Sequence, residues 1–394
     1  MKKKWVILKN IYFVTETYPP DINGVSLTLE KIVTGFTRKN YHVTVVVPDT
    51  KHSTGTTVVG KNLNFLPVKG IPIPLYSELK MGLPCYGYLR KIWSNRKPDL
   101  VHIATEGPLG LSALFAAKKL SIPLISDFRT NFHEYGKYYG IGIFGKSIFS
   151  YLRYFHNNTN KTLVPTQSLF EFLSAKKIKN ISVIPRGVDV KKFNPILRCK
   201  KTRSEIGISD SCLTILSVSR LAREKNLDLV VDCFYELKKM YGQIQLIFVG
   251  SGPYMNKLKK RCPDASFVGY KTGVELSKYY ANADLMVFPS LTETFGNVTL
   301  EALASGLPVL CYDTAAAKEL VIDGENGFTV SPFQKEAFLR KATQIFDQVN
   351  LGNVRINARK TAEKNCWDNV INKTEKEFLN VFENSKTIYR TFAS

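Results

Sequence analysis

Glu293-Thr-Phe-Gly-Asn-Val-Thr-Leu-Glu301-Ala-Leu-Ala-Ser-Gly-Leu-Pro-Val-Leu310 is the stretch on which the reading of this chain turns. Between Glu293 and Asp313 it carries one formal charge, Glu301. Val298, Leu300, Leu303 and Leu307 recur at roughly helical spacing, and Gly306 followed by Pro308 supplies a stop. The pattern predicts a short apolar helix from about Asn297, covered by the rest of the protein, with Glu301 on it. A carboxylate in such a place needs a partner, because burying it unpaired is costly. The flexible Phe295-Gly296 step leaves the first amides of the helix open beside Glu293, which makes an anion site. Two carboxylates flanking a ring of amide donors suit a ligand that carries both hydroxyl pairs and phosphates, as a nucleotide sugar does.

Outward from this stretch, short β-branched or aromatic runs alternate with longer amphipathic ones, the pattern of parallel-sheet α/β units. Strands are expected near 11–15, 43–47, 63–66, 99–104, 122–126, 162–165 and 181–185, with helices such as 25–38, 109–120 and 166–176 between them. The pattern restarts at Leu213 and runs through Ile244–Val249, Ser266–Val268, Leu285–Phe288 and Val309–Tyr312. Two sheets imply two domains, as does a length of 394 residues. The segment from Pro185 to Lys201 reads as a linker. From about Gln334 the chain turns helical, ending in a helix near 367–384.

Ser217-Val-Ser-Arg220-Leu-Ala-Arg-Glu-Lys225 follows the first strand of the second sheet. Parallel sheets bind ligands at the carboxyl ends of their strands, so Arg220 and Lys225 place two cations where a diphosphate fits. Arg223 reads as a solvated cation. Val249-Gly-Ser-Gly and Val268-Gly-Tyr270 end the next two strands at the same edge. In the first half, Asp127-Phe-Arg129-Thr-Asn131-Phe-His133 puts polar and aromatic groups at a strand end, as a site wall would. Phe144, Ile148, Phe149, Leu152 and Phe155 make an amphipathic aromatic helix, read as a core face with a lipid-facing surface as the alternative.

Composition narrows the partners. The net charge is +22, and residues 1–189 hold 26 Lys and Arg against 11 Asp and Glu, leaving 29 against 22 for the remainder. The basic first half suggests an anionic partner, for which membrane headgroups, nucleic acid and a phosphorylated substrate compete with mere Lys-rich composition. Nucleic acid is set aside because no recognised nucleic-acid module accompanies the lysines. Seven scattered cysteines without a CxxC pair argue for a reducing compartment and no structural metal site. No segment is long enough to span a bilayer, so the expected location is the cytoplasm, with the inner membrane face as an attachment surface.

The Glu-x7-Glu spacing, with Phe-Gly inside it and Glu-Ala-Leu-Ala-Ser-Gly-Leu-Pro-Val closing it, resembles the signature of the retaining glycosyltransferases of family 4. The block from Asp127 to Tyr135, with His156-Asn-Asn-Thr and Val164-Pro-Thr, is similar to the branch containing α-mannosyltransferases and glycolipid or sulfolipid synthases. The resemblance covers nearly the whole chain. It implies an α/β protein of GT-B architecture: two doubly wound Rossmann-like domains, 1–195 for the acceptor and 196–370 for the donor, facing across a cleft, with 371–394 as a helix crossing back to the first. It implies transfer of a mannose- or glucose-type hexose from GDP- or UDP-hexose to a hydroxyl acceptor, a lipid or lipid-linked glycan, with no cofactor and no metal.

By the same resemblance, Glu293 holds hydroxyls of the donor sugar and Glu301 the ribose diol, while Arg220 and Lys225 stabilise the leaving diphosphate. Gly24 lies under the phosphates, and Val268, Gly269 and Tyr270 meet the nucleobase. Thr294, Phe295, Gly296 and Asn297 complete the donor set. Asn23, Arg129, Asn131 and His133 line the acceptor side. Many relatives have His where this chain has Arg129, so either Arg129 or His133 is left as the residue facing the sugar, with His133 in the catalytic set. A sugar-nucleotide epimerase of the same fold and a basic nucleic-acid-binding protein are the competing functions.

Overall fold

A computed structural model describes residues 8–391 apart from 22, 50–60, 74–75, 130–144, 292, 294 and 349. The chain divides into two compact units, Met1–Pro185 with Val370–Ser394, and Arg186–Asn369.

The first unit is built on strands β1 (Asn10–Val14), β2 (His42–Pro48), β3 (Leu63–Val68), β6 (Leu100–Ile103), β7 (Leu124–Asp127), β8 (Lys161–Val164) and β9 (Ile181–Val183). They form one sheet in the order β3-β2-β1-β6-β7-β8-β9, parallel throughout. Ile11 through Val14 and all of β6 and β7 are buried, as expected where helices cover both faces of a sheet. Between β3 and β6 an antiparallel hairpin, β4 (Gly70–Ile73) and β5 (Tyr76–Gly82), forms its own two-stranded sheet with a register shift at Pro72/Ile73. Sequence reading missed this hairpin, because Pro72 interrupts the alternation that marks a strand. The helix Gly145–Asn157 turns Leu152 and Phe155 fully into the core, with Ile148 and Phe149 half-buried and Tyr154 left outside. Phe144, assigned to the same face, lies outside the described residues.

The second unit carries β10 (Leu213–Val218), β11 (Ile244–Val249), β12 (Ser266–Phe267), β13 (Leu285–Phe288), β14 (Val309–Tyr312) and β15 (Phe328–Val330). Its order is β12-β11-β10-β13-β14-β15, again all parallel. Both sheets therefore reverse direction beside their first strand, between β1 and β6 and between β10 and β13. The carboxyl ends of the strands at such a reversal leave an open crevice. The segment after Pro185 is no loose linker: Val188 and Phe193 are buried in the core of the second unit, and Trp367 N–H donates to the Val188 carbonyl. Three arginines close the far side. Arg198, Arg203 and Arg355 donate to the carbonyls of Ala281, Asn282 and Ala283, at the end of the helix Gly273–Asn282, where positive charge is favourable. Asp284 is their shared counter-ion. Burial pushes the Arg355 guanidinium down to about 10, with the Arg198 charge acting the same way.

The final helix, Trp367–Thr391, enters the first unit at Val370. Ile371 packs against Gly35, where a Cβ would find no room. Phe378 is fully buried against Phe13, Phe36 and His102, with ring centroids 5.0–6.0 Å apart. Glu375 pairs with Lys39 and accepts from the Tyr41 hydroxyl at 2.8 Å. Phe378→Ala is expected to destabilise the first unit by about 3–5 kcal/mol, the usual cost of emptying an aromatic site. Urea denaturation checks this, and an unchanged midpoint would show that the helix contributes nothing to that core.

Candidate active site

The reversal between β10 and β13 sets two loops side by side. After β10, Ser219 to Ala222 lead into a 3-10 turn at Arg223–Lys225, and Asn226 takes the left-handed conformation (φ 52°) that starts the helix Leu227–Tyr241. After β13, the loop carries Glu293 and then Phe295, whose ring is buried. Gly296 has φ 85°, a conformation that favours glycine, and opens the helix Asn297–Ala304 without a side-chain cap. The helix that periodicity predicts is present, and its N-terminus carries no acidic residue.

The loops meet through charge. Lys225 Nζ lies 2.5 Å from Glu293 Oε1, and each side chain is only 16% exposed. Arg220, by contrast, is 58% exposed and pairs with Glu224 one turn on. Both cations thus have an internal carboxylate partner. Glu301 is half-buried and has the partner that a carboxylate on an apolar helix needs: the Tyr280 hydroxyl donates to its Oε2 at 3.0 Å. Burial pushes the Glu301 carboxyl above its ordinary range, opposed by the Tyr280 hydrogen bond and the positive charge of Lys192. Asn297 Oδ1 accepts from Arg186 at 3.3 Å.

The third loop of this edge follows β12. Gly269 has φ 73° with open space around it, and Tyr270 is 60% exposed, so both are available to a ligand. Val268 N–H is taken by the Phe248 carbonyl. Gly250 and Gly252 do something else: a Cβ on either would run into the carbonyl of Ser219 or Leu221. Their bareness lets β11 pack against the turn that carries Arg220, and Leu221 N–H donates to Ser251 O at 2.9 Å.

In the first unit, Asn23 caps the helix Gly24–Arg38, its Oδ1 accepting from Val25 and Ser26 N–H while its amide donates to Thr17. Gly24 is the first residue of that helix. Arg129 is buried, its Nε 2.6 Å from Asp127 Oδ2, and His102 Nε2 approaches the other oxygen at 3.1 Å. Burial alone would raise the Asp127 carboxyl, but Arg129 and His102 hold it well below the ordinary carboxylate range. Arg129 is therefore held at the end of β7 by a buried ion pair. Asn131, His133 and Thr294 lie outside the described residues.

Glu224 and Tyr280 are the neighbours of this site that sequence reading passed over. Glu224 could have been found from its i,i+4 spacing to Arg220. Tyr280 carries no such signal, being one aromatic among the buried residues of its helix. A cavity of about 430 Å³ lined by Asp228, Asp232, Lys257, Arg261, Tyr312 and Phe333 includes none of Arg220, Lys225, Glu293 or Glu301. Its charges are largely paired with one another. Among the described residues no cluster of His, Cys, Asp and Glu could hold a metal ion.

A carboxyl whose folded-state pKa is raised contributes stability that is fully present below its ordinary value of 4.5 and is lost as pH rises through the folded value. Ionised Glu301 is therefore a cost to the fold at neutral pH. Glu301→Gln is expected to melt higher than wild type at pH 8, with the difference closing below pH 4.5. A lower melting temperature at pH 8 would contradict the burial argument.

Comparison with known proteins places the geometry in a family. The family model "Glycosyltransferase Family 4" matches residues 22–192, and "Glycosyl transferases group 1" matches residues 200–364. The GDP-mannose-dependent alpha-mannosyltransferase of Mycobacterium tuberculosis is 30% identical over 320 residues, 80% of this chain and 82% of that one. The alpha-monoglucosyldiacylglycerol synthase of Streptococcus pneumoniae is 28% identical over 328 residues, 78% of this chain and 72% of that one. Among solved structures, sucrose-phosphate synthase from Thermosynechococcus elongatus superposes with a TM-score of 0.77 at 16% identity, covering 95% of this chain and 100% of that chain. With two Rossmann-like units, a family 4 domain followed by a group 1 domain, and a relative of this similarity over four-fifths of its length, the chain belongs to the GT-B glycosyltransferases of the family 4 and group 1 type.

Proposed function

We propose that the chain is a retaining hexosyltransferase that moves a mannose- or glucose-type sugar from a nucleoside diphosphate donor to a hydroxyl of a lipid or lipid-linked glycan. The observation that carries this reading is the contact between Lys225 and Glu293 at the crevice between β10 and β13. It sets a cation suited to the diphosphate against a carboxylate suited to the sugar hydroxyls, at the edge where parallel sheets bind ligands. Arg220 and Lys225 stabilise negative charge on the departing diphosphate, Arg220 by forking two oxygens and Lys225 as a point charge. Glu301 accepts from the ribose diol. The open amides of the helix Asn297–Ala304 and the bare Gly296 complete the phosphate cradle. The acceptor attacks on the face that the diphosphate leaves, so configuration is kept without a covalent intermediate, and neither cofactor nor metal takes part.

By their names one relative depends on GDP-mannose and another synthesises monoglucosyldiacylglycerol, which makes GDP-mannose the first donor to test and a lipid the first acceptor. Attachment to an anionic membrane face rests on the basic first half, because Leu152 and Phe155 of the helix Gly145–Asn157 are committed to the core. None of the described helices is long and apolar enough to cross a membrane.

Arg220→Ala and Lys225→Ala should each weaken nucleoside diphosphate binding by about 1.5–3 kcal/mol, the worth of a charge-assisted contact. Calorimetry with GDP and UDP reads this directly, and full affinity in both variants removes the two cations from the site. Turnover of donor in the absence of any acceptor would favour the epimerase reading instead. The whole chain should sediment with anionic vesicles and be released by salt. Equal sedimentation with neutral vesicles would remove the electrostatic attachment.

A further inference from the structure

Tyr280 is fully buried in the helix Gly273–Asn282, edge-on to Phe193 at 5.7 Å. Phenylalanine would fill that space equally well, so packing does not explain the hydroxyl, which costs free energy to bury unless it is hydrogen-bonded. Its partner is Glu301 Oε2 at 3.0 Å. We propose that Tyr280 is a positioning residue for donor binding: its hydroxyl holds one oxygen of the Glu301 carboxylate, fixing the side chain so that the other oxygen accepts from the ribose diol. This rests on the reading of Glu301 as the ribose ligand.

A carboxylate on a short helix has several rotamers of similar energy, and a diol demands one of them. Preorganising that rotamer removes an ordering cost which the ligand would otherwise bear. The tyrosine suits the task because burial, and then the neighbouring Glu301 charge, push its own ionisation well above the ordinary value, so it remains a donor at neutral pH. Lys192 also faces Glu301, but as a charge carried on an exposed residue, with its ammonium 5.4 Å from the centre of the Phe193 ring. It favours ionised Glu301 without fixing the carboxylate's orientation.

The test is calorimetry of the full chain with GDP and UDP and with the analogue lacking both ribose hydroxyls, for wild type, Tyr280→Phe, Glu301→Gln and the double variant. Tyr280→Phe should weaken nucleoside diphosphate binding on the order of tenfold, the scale of a lost supporting contact behind a ligating group. It should leave the analogue's affinity unchanged and add nothing to Glu301→Gln. Since the hydroxyl favours the ionised carboxylate, the pH below which affinity falls should move upward in Tyr280→Phe. A general loosening of the fold would instead weaken both ligands alike and persist in the Glu301→Gln background, and either result overturns the proposal. Normal binding by Tyr280→Phe alongside weakened binding by Glu301→Gln refutes the positioning role alone. Normal binding by Glu301→Gln removes the ribose reading of Glu301, and the positioning role with it.

Discussion

Neighbouring parallel strands cannot be joined by a tight turn, so each must return through a crossover that packs on one face of the sheet. In both units of this protein the second and third strands lie on one side of the first, and the later strands on the other. The crossovers must therefore change faces at the first strand, which parts the helices at the carboxyl ends there. The loop after β10 and the loop after β13 become neighbours for this reason, although Lys225 and Glu293 lie 68 residues apart in sequence. Their contact follows from strand order before any side chain is considered.

What the sequence disclosed follows the same logic. Runs that are buried on both faces, such as Leu285–Phe288 and Val309–Tyr312, announce themselves because they are almost wholly apolar. The short helix bearing Glu301 was legible for the complementary reason: one carboxylate stood out against an apolar background. The hairpin of β4 and β5 was hidden by its prolines, and the packing of Val188 and Phe193 by a composition that reads as a turn.

The site was legible in its charges and not in what restrains them. Arg129 read as a group on a wall, and what holds it there was not read: Asp127, itself met by His102 from the neighbouring strand, a partnership fixed by sheet register. Gly250 and Gly252 stand at the end of a strand in the sequence, and the structure shows why they are bare: the backbone of the Arg220 turn fills the space a Cβ would take. Asn23 serves as a helix cap. In each case the residue type was informative, but the partner that uses it was not: Ser219 and Leu221 for the two glycines, Val25 and Ser26 for Asn23.

The pairing of Lys225 with Glu293 and of Arg220 with Glu224 has a consequence for the company this protein keeps. A bare pair of cations at an open sheet edge would attract every phosphate and polyanion in solution. Here each positive charge already has a counter-ion drawn from the polypeptide, so a passing anion gains little by displacing it. An entering molecule wins only if it compensates the displaced carboxylates, which calls for hydroxyl donors as well as phosphate oxygens on one scaffold. Internal ion pairs of this kind thus set a threshold that favours a chemically matched anion over an arbitrary one.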